Sequence, residues 1–397
     1  MCSNADFIIF RNKEGSKMRK KVLAGVMAAL MAASLAACGN SSGTSQSTGQ
    51  ASGAGSSAAS ASSTQAAAAS DTEAAAPAAR SSGSGIVLRW SEVNGDDYGA
   101  TVGAKEFVKQ INDLSGGQIT VQLYENGTLG DEKTSMQGIQ MGTLDIFRGN
   151  ASSLSNYGAP TISLTGLPYM FKDMDQFNEM ATSNLGQELL DSVDKDDCGY
   201  VALGWMVEGP RSLFLTQSAY DKLGKPEKFS LDMMKGLKIR VPETDLMVNT
   251  MKALGASATP IAYSELYTSL QSGVVDGAEN GVTSYLSNSY NEVAPYFIPD
   301  AHTFGCGVIL MNKDKWNSLT EEQQGWMKQA ADAASKACYE YNQKQEQAAF
   351  DSFKDKGVTE IDIADLDKWQ DACQSVYDSY PSDQQEMIKK LQSGDYN

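Results

Sequence analysis

The chain has 397 residues, a formal net charge of −17, one histidine and six cysteines. Such acidity argues against nucleic-acid binding, which needs basic patches, and a single histidine excludes a His-rich metal site. The length admits two or three domains, and 41% hydrophobic residues suffice for a core once a polar leader is set aside.

Met18-Arg19-Lys20-Lys21 forms a positive n-region, and Val22 to Leu35 forms an apolar stretch of signal-peptide length. Residues 1–17 fit no signal peptide, so Met18 is read as the start of translation in preference to Met1. Leu35-Ala36-Ala37-Cys38 followed by Gly39 resembles a bacterial lipoprotein cleavage box. Cys38 is therefore expected to be lipidated and to anchor an extracytoplasmic protein to the bacterial cell membrane, with residues 1–37 removed. The cut takes away six basic and two acidic residues and leaves a net charge of −21. Residues 38–85 supply the lipidated cysteine and then mostly Ser, Ala, Gly, Thr and Gln with no large apolar side chain. That composition cannot offset the entropy of folding, so it predicts a disordered tether spanning about 40 Å.

The folded part opens as β-α-β. Gly85 to Trp90 reads as a strand, Thr101 to Ser115 as a helix with Ala104, Phe107, Ile111 and Leu114 on one face, and Ile119 to Tyr124 as an alternating strand. Asn94, Asp97 and Tyr98 fall in the loop after the first strand, where ligand contacts are common. Asp131 and Glu132 open the next helix, where carboxylates favour the positive end. Leu144 to Phe147 reads as a strand leading into a turn, Arg148-Gly149-Asn150. Helical segments follow over Met174 to Val193, and Tyr200 to Met206 and Gly307 to Met311 read as two crossover strands.

Between the crossovers, Leu237 to Val241 is a short apolar strand that Pro242 ends, with Arg240 inside it. Thr244 can cap a helix with Met247, Thr250, Met251 and Leu254 inward, and Ser264 can cap a second one. Val274 and Val275 enter a third strand, and Asn280 lies just beyond it. Tyr285 to Val293 reads as helical. Thr320-Glu321-Glu322-Gln323 is a capping-box pattern. It opens either one helix of about 55 Å to Lys356 or two helices broken near Gln343 to Gln347. Trp369 to Val376 and Gln384 to Leu391 are further amphipathic helices. Cys198, Cys306, Cys338 and Cys373 show no C-x-x-C spacing, which argues against zinc, and their apolar contexts favour free thiols. No nucleophile elbow, HExxH, phosphate loop or Cys-His pair occurs, so no reacting constellation can be assembled and nothing calls for a cofactor.

Gly236 to Gly281 carries KIRVP, ALGASATP, SELYTSLQSGVVDG and AEN in one linked order. This block resembles the signature of solute-binding proteins of TRAP (tripartite ATP-independent periplasmic) transporters. The likeness extends from Ile86 to the C-terminus. It implies an α/β, bilobed, type II periplasmic-binding-protein-like fold with two discontinuous lobes, hinge strands and a long lobe-spanning helix. The lobes are expected at 86–208 with 306–345, and at 209–305 with 346–397. The resemblance also implies that Arg240 forms a salt bridge with a substrate carboxylate, joined by Arg211 and Asn280. Glu208, just before Arg211, and Tyr98 are further candidate contacts. DIFRGN resembles a segment of sugar-acid binders, which would bring Arg148 and Asn150 to the cleft; the alternative is a solvated turn. The family often uses the position of Glu132 for a ligand hydroxyl. Two stretches depart from the pattern: extra residues lie in Thr216 to Phe229, and Pro295 and Asp300 replace the Lys and Thr of the family's KYxxxTxH stretch. His302 reads as a structural hydrogen-bonding residue. The implied partners are a small organic acid and TRAP-type membrane permease subunits. The wording favours a hexuronate or related sugar acid, the alternatives being a C4-dicarboxylate or a sensor using the same fold.

Overall fold

The computed structural model describes residues 85–397; the signal region, Cys38 and almost all of the tether lie outside them. Eleven strands are present: β1 (Ile86–Ser91), β2 (Ile119–Tyr124), β3 (Ile146–Asn150), β4 (Tyr200–Leu215), β5 (Lys228–Phe229), β6 (Lys238–Val241), β7 (Ser257–Pro260), β8 (Gly277–Gly281), β9 (Tyr296–Asn312), β10 (Thr359–Glu360) and β11 (Asp362–Ile363). The main sheet has the order β2-β1-β3-β9-β4-β8-β6-β7, with β10 beside β9. Each flank is a set of parallel strands joined through helices, the economical way to bury both faces of a short parallel sheet. Between the flanks, β4 and β9 pair antiparallel over their whole lengths.

These two strands are longer than the sequence reading allows. Polar residues from Glu208 to Ser212 break the apolar run of β4, and Pro299-Asp300 breaks that of β9. The backbone continues because pairing irregularities and buried side-chain bonds absorb both interruptions. Asp300 accepts from the Leu213 amide at 2.9 Å, and Ser212 accepts from the Ala301 amide at 3.1 Å. Ladder bonds are thus replaced where the register slips between Arg211/Thr303 and Leu213/Ile298.

Other boundaries move for similar reasons. β3 begins at Ile146 and includes Arg148 and Asn150, so these are strand residues and not a turn beyond one. β8 includes Asn280, while Val274 is exposed in the preceding turn. Ser264 lies within a 3-10 turn and does not cap the helix Leu266–Gln271. The segment read as one helix from Tyr285 is a helix Val282–Ser287 and a 3-10 turn Tyr290–Glu292. The extra residues after Thr216 form a short helix, Gln217–Lys222, and then β5, which pairs with β11.

Thr244 caps the helix Asp245–Ala253 by accepting from the Met247 amide. The capping box at Thr320 forms from both sides and opens one unbroken helix, Glu321–Ser352, about 48 Å long. Its first half packs Met327, Ala330, Ala331, Ala334 and Cys338 into a core with Leu88, Trp90 and Phe107. Its far end places Ala349, with the adjoining Phe353, in a second core with Phe214, Tyr285 and Phe297. One rigid rod therefore touches the apolar centres of both flanks. Cys306, Cys338 and Cys373 are buried thiols, and Cys198 is half-buried and unbridged.

The rod sits close against the helix Gly99–Ser115. A Cβ at Gly103 would lie 2.8 Å from the Ala334 carbonyl and 3.1 Å from the Cys338 Cβ, so only glycine permits this approach. Gly103→Val should lower the unfolding free energy by about 1–3 kcal/mol, read from the urea midpoint. An unchanged midpoint would show that the two helices can part freely.

Candidate functional site

The ends of the flanking parallel strands converge on the long pair β4 and β9, and a cavity of about 530 Å³ lies where they meet. Strand ends at a change of sheet direction leave a crevice between loops, the usual place for a ligand in an open α/β sheet. Tyr98, Glu132, Arg148, Asn150, Glu208, Arg211, Arg240 and Asn280 all line it. Asn94 lines it too; Asp97 does not, and its carbonyl accepts from the Tyr341 hydroxyl.

Asp131, Lys133 and Glu243 line the crevice exposed, but Arg148, Glu208, Arg211 and Arg240 are buried, so each of these must find a partner or destabilise the fold. Arg148 lies between Glu92, at 3.2 Å, and Glu208, at 3.1 Å. Burial opposes its charge, but the two carboxylates outweigh burial and raise its pKa well above the ordinary arginine value. Arg211 grips Glu279 with two bonds, Nε to Oε2 at 2.7 Å and Nη2 to Oε1 at 2.9 Å. Behind Glu279, His302 Nε2 lies 3.5 Å from Oε2, and its Nδ1 is 2.7 Å from Asp300. Burial works against charge on Glu279, yet Arg211 and His302 hold its pKa down to about 2. Burial likewise opposes the His302 imidazolium, and Asp300 and Glu279 still push its pKa up to about 9.

Arg240 is different. It is 2% exposed, its Nε donates to the Ile261 carbonyl at 2.9 Å, and among the described residues it forms no ion pair. Burial lowers its pKa below the ordinary arginine value, and Glu279 only partly offsets that. Asn280 accepts from the Gly281 amide with its side-chain oxygen, which leaves its NH₂ donors for the cavity. The site thus offers one uncompensated buried guanidinium with amide donors near it.

The remaining candidates divide. Glu132 accepts from the Asn150 amide at 3.1 Å and the Ser153 hydroxyl at 2.6 Å, both on Oε1, so Oε2 is its free oxygen. Asn150 accepts from Ser152 with its side-chain oxygen. The Tyr98 hydroxyl donates to Glu208 Oε2 at 2.6 Å, so Tyr98 offers the cavity its ring and not a donor. Glu92 and Glu279 are not among the residues the sequence points to, and Asp300 stands out there only as a departure from the family's KYxxxTxH stretch. A signal was present for Glu279, since a carboxylate in a buried strand needs a cation and Arg211 stands in the neighbouring strand. Tyr263, held by Ser284 and Asn288, and Tyr290 form an aromatic wall that the sequence reading passed over.

Residues 90–394 match the family model described as bacterial extracellular solute-binding protein, family 7. The chain belongs to that family. Its members are solute-binding components of TRAP transporters, and its fold is the bilobed type II arrangement of periplasmic binding proteins. A TRAP periplasmic solute-binding protein from Bradyrhizobium sp. btai1, in complex with α/β-D-galacturonate, is 30% identical with a TM-score of 0.71, covering 77% of this chain and 99% of its own. Another from Pseudomonas putida F1, with bound D-glucuronate, is 27% identical with a TM-score of 0.72, covering 78% and 99%. The C4-dicarboxylate-binding periplasmic protein DctP of Rhodobacter capsulatus is 27% identical over 300 residues, 74% of this chain and 86% of that protein.

For this solute-binding protein, the paired and unpaired arginines should behave oppositely when no ligand is bound. Arg211→Met leaves Glu279 buried without its cation and should lower the unfolding free energy by about 3–5 kcal/mol. Arg240→Met removes a charge that nothing compensates and should leave stability within about 1 kcal/mol of the parent, or raise it. Chemical denaturation of ligand-free samples separates the two; equal losses would mean Arg240 is paired after all.

The His302 charge also sets a pH dependence. Its folded pKa lies above the ordinary 6.5, so its contribution is complete below pH 6.5 and is lost as pH rises through 9. Unfolding free energy should fall by roughly 3 kcal/mol across that window, and His302→Gln should flatten the slope. A parent profile as flat as that of the variant would contradict a charged His302.

Proposed function

We propose that this protein captures a monocarboxylic sugar acid, a hexuronate by preference, for a TRAP-type membrane permease. The observation that carries the reading is Arg240, a buried guanidinium facing the cavity without a carboxylate of its own. A ligand carboxylate would take its free Nη donors as paired, charge-assisted hydrogen bonds, with Asn280 and the remaining Nη1 of Arg211 beside it. Arg148, Asn150, Glu132, Glu208 and Tyr98 would face the hydroxyl-bearing remainder. Neighbours with D-galacturonate and D-glucuronate support the sugar-acid class. So does the lining of the cavity: among the described residues its other buried arginines, Arg148 and Arg211, are both paired, and Lys133 is exposed.

The lobes in this proposal are 86–208 with 306–345 and 209–305 with 346–397, closing about the ligand over the shared strands β4 and β9. Cys38 would carry the lipid that holds the protein at the outer face of the cell membrane, with the residues up to 85 as its tether. No cofactor and no catalytic step enter the proposal.

Thermal shift on a ligand-free sample tests it, with D-glucuronate, D-galacturonate, succinate and malate as probes. One uronate at about a thousand times its Kd should stabilise the fold by about 4 kcal/mol. Arg240→Met should weaken that uronate by about two to four decades, or about 3–5 kcal/mol. A shift with the dicarboxylates alone would move the substrate class to C4 acids. No shift with any carboxylate would overturn anion capture.

A further inference from the structure

The cavity holds a cation without an anion, and it also holds an acceptor without a donor. Glu208 is 8% exposed, and its Oε1 is buried with no hydrogen-bond partner. Arg148 Nη1 lies 3.1 Å away as an ion pair, but no N–H is aligned on that oxygen. The other oxygen is taken by the Tyr98 hydroxyl. Burial, followed by the charge of Glu208, pushes the Tyr98 pKa well up, so the hydroxyl stays a donor.

The surroundings hold Glu208 in this state. Glu92, fully buried, takes Arg148 from the opposite side and also accepts from the Asn94 amide and side chain. One guanidinium between two carboxylates has a formal charge of −1. Gly307 makes room for the arrangement, since a Cβ there would collide with Arg148 and lie 3.1 Å from Glu208 Oε1. Along β4, Glu208 stands three residues from Arg211, roughly 10 Å of extended strand. The cavity is therefore polarised, with a free positive charge at Arg240 and a net negative cluster, whose Oε1 lacks a hydrogen-bond donor, at Glu208.

We propose that Glu208 is a specificity-determining residue that accepts a ligand hydroxyl on Oε1 and, with Glu92, turns away a second carboxylate. The site then takes monoanionic polyhydroxy acids and rejects the diacids derived from them. Arg148 cannot serve such a diacid, because both of its neighbours are already anions. This inference rests on Arg240 holding the ligand carboxylate as proposed above. A hydroxyl supplies the proton that the buried oxygen lacks, whereas a carboxylate in its place brings like charge into a site shielded from water.

The test compares D-glucuronate with D-glucarate, its diacid counterpart, by calorimetric titration of the parent protein and of Glu208→Gln. The parent should favour glucuronate by about a hundredfold or more, since like charges juxtaposed cost several kcal/mol. In Glu208→Gln, glucuronate affinity should fall about tenfold and the preference over glucarate should narrow at least about tenfold. Uronate binding with the same preference in parent and variant would overturn this inference alone. Equal binding of both acids by the parent would overturn it without any variant, which covers a Glu208→Gln protein that does not fold. Binding of neither acid by the parent would overturn the capture of uronates and this inference together.

Discussion

A buried guanidinium that no carboxylate neutralises is the constraint around which this molecule is arranged. Placing Arg240 in β6, 2% exposed, works against the fold. The sheet tolerates it because the neighbouring charges are closed off from it. Arg211 is committed to Glu279, and Arg148 to Glu92 and Glu208. Had any of those carboxylates reached Arg240, the fold would gain an ion pair and the cavity would have no charge left to offer an anion. This local arrangement also works against the global field, since the chain carries −17 overall.

The two long strands and the long helix explain how such a cavity can exist at all. β4 and β9 run through both halves of the sheet, so a charge in the middle of either is reached from both sides. Two of the three pairing irregularities fall beside Glu208 and Arg211, the latter opposite Asp300 to His302, where side chains have to be turned toward the crevice. Ala301, in the middle of the second irregular stretch, takes a left-handed φ of 46°, a conformation uncommon for a residue with a Cβ. The helix Glu321–Ser352 contributes side chains to both flanking cores and so ties them together.

The parts of this molecule governed by local chemistry were legible in the sequence. Thr244, the Thr320 capping box and the inward face of Met247, Thr250, Met251 and Leu254 depend on neighbours within one turn, and they form as expected. The crossover strands run longer than their apolar pattern predicts, because their polar middles look like ends until the partner charges are known. For the same reason, the pairing of Arg211 with Glu279 could not be read from linear order, although both residues stood in recognisable motifs. Linked motifs point to the family, and the family points to the convergence of Arg240, Arg211, Asn280, Arg148, Asn150 and Glu132, which lie far apart along the chain. The distinction between a free arginine and two committed ones depends on contacts of 2.7–3.2 Å between strands, which no single-sequence pattern encodes.

The most direct measurement of that distinction is calorimetric titration with D-galacturonate and with D-galacturonamide, which keeps the ring and hydroxyls and removes the anion. If Arg240 is the free cation of the cleft, the acid binds and the amide binds weaker by about two decades or more. Equal affinity for acid and amide would show that the cleft does not recognise charge, and the role assigned to Arg240 would be wrong.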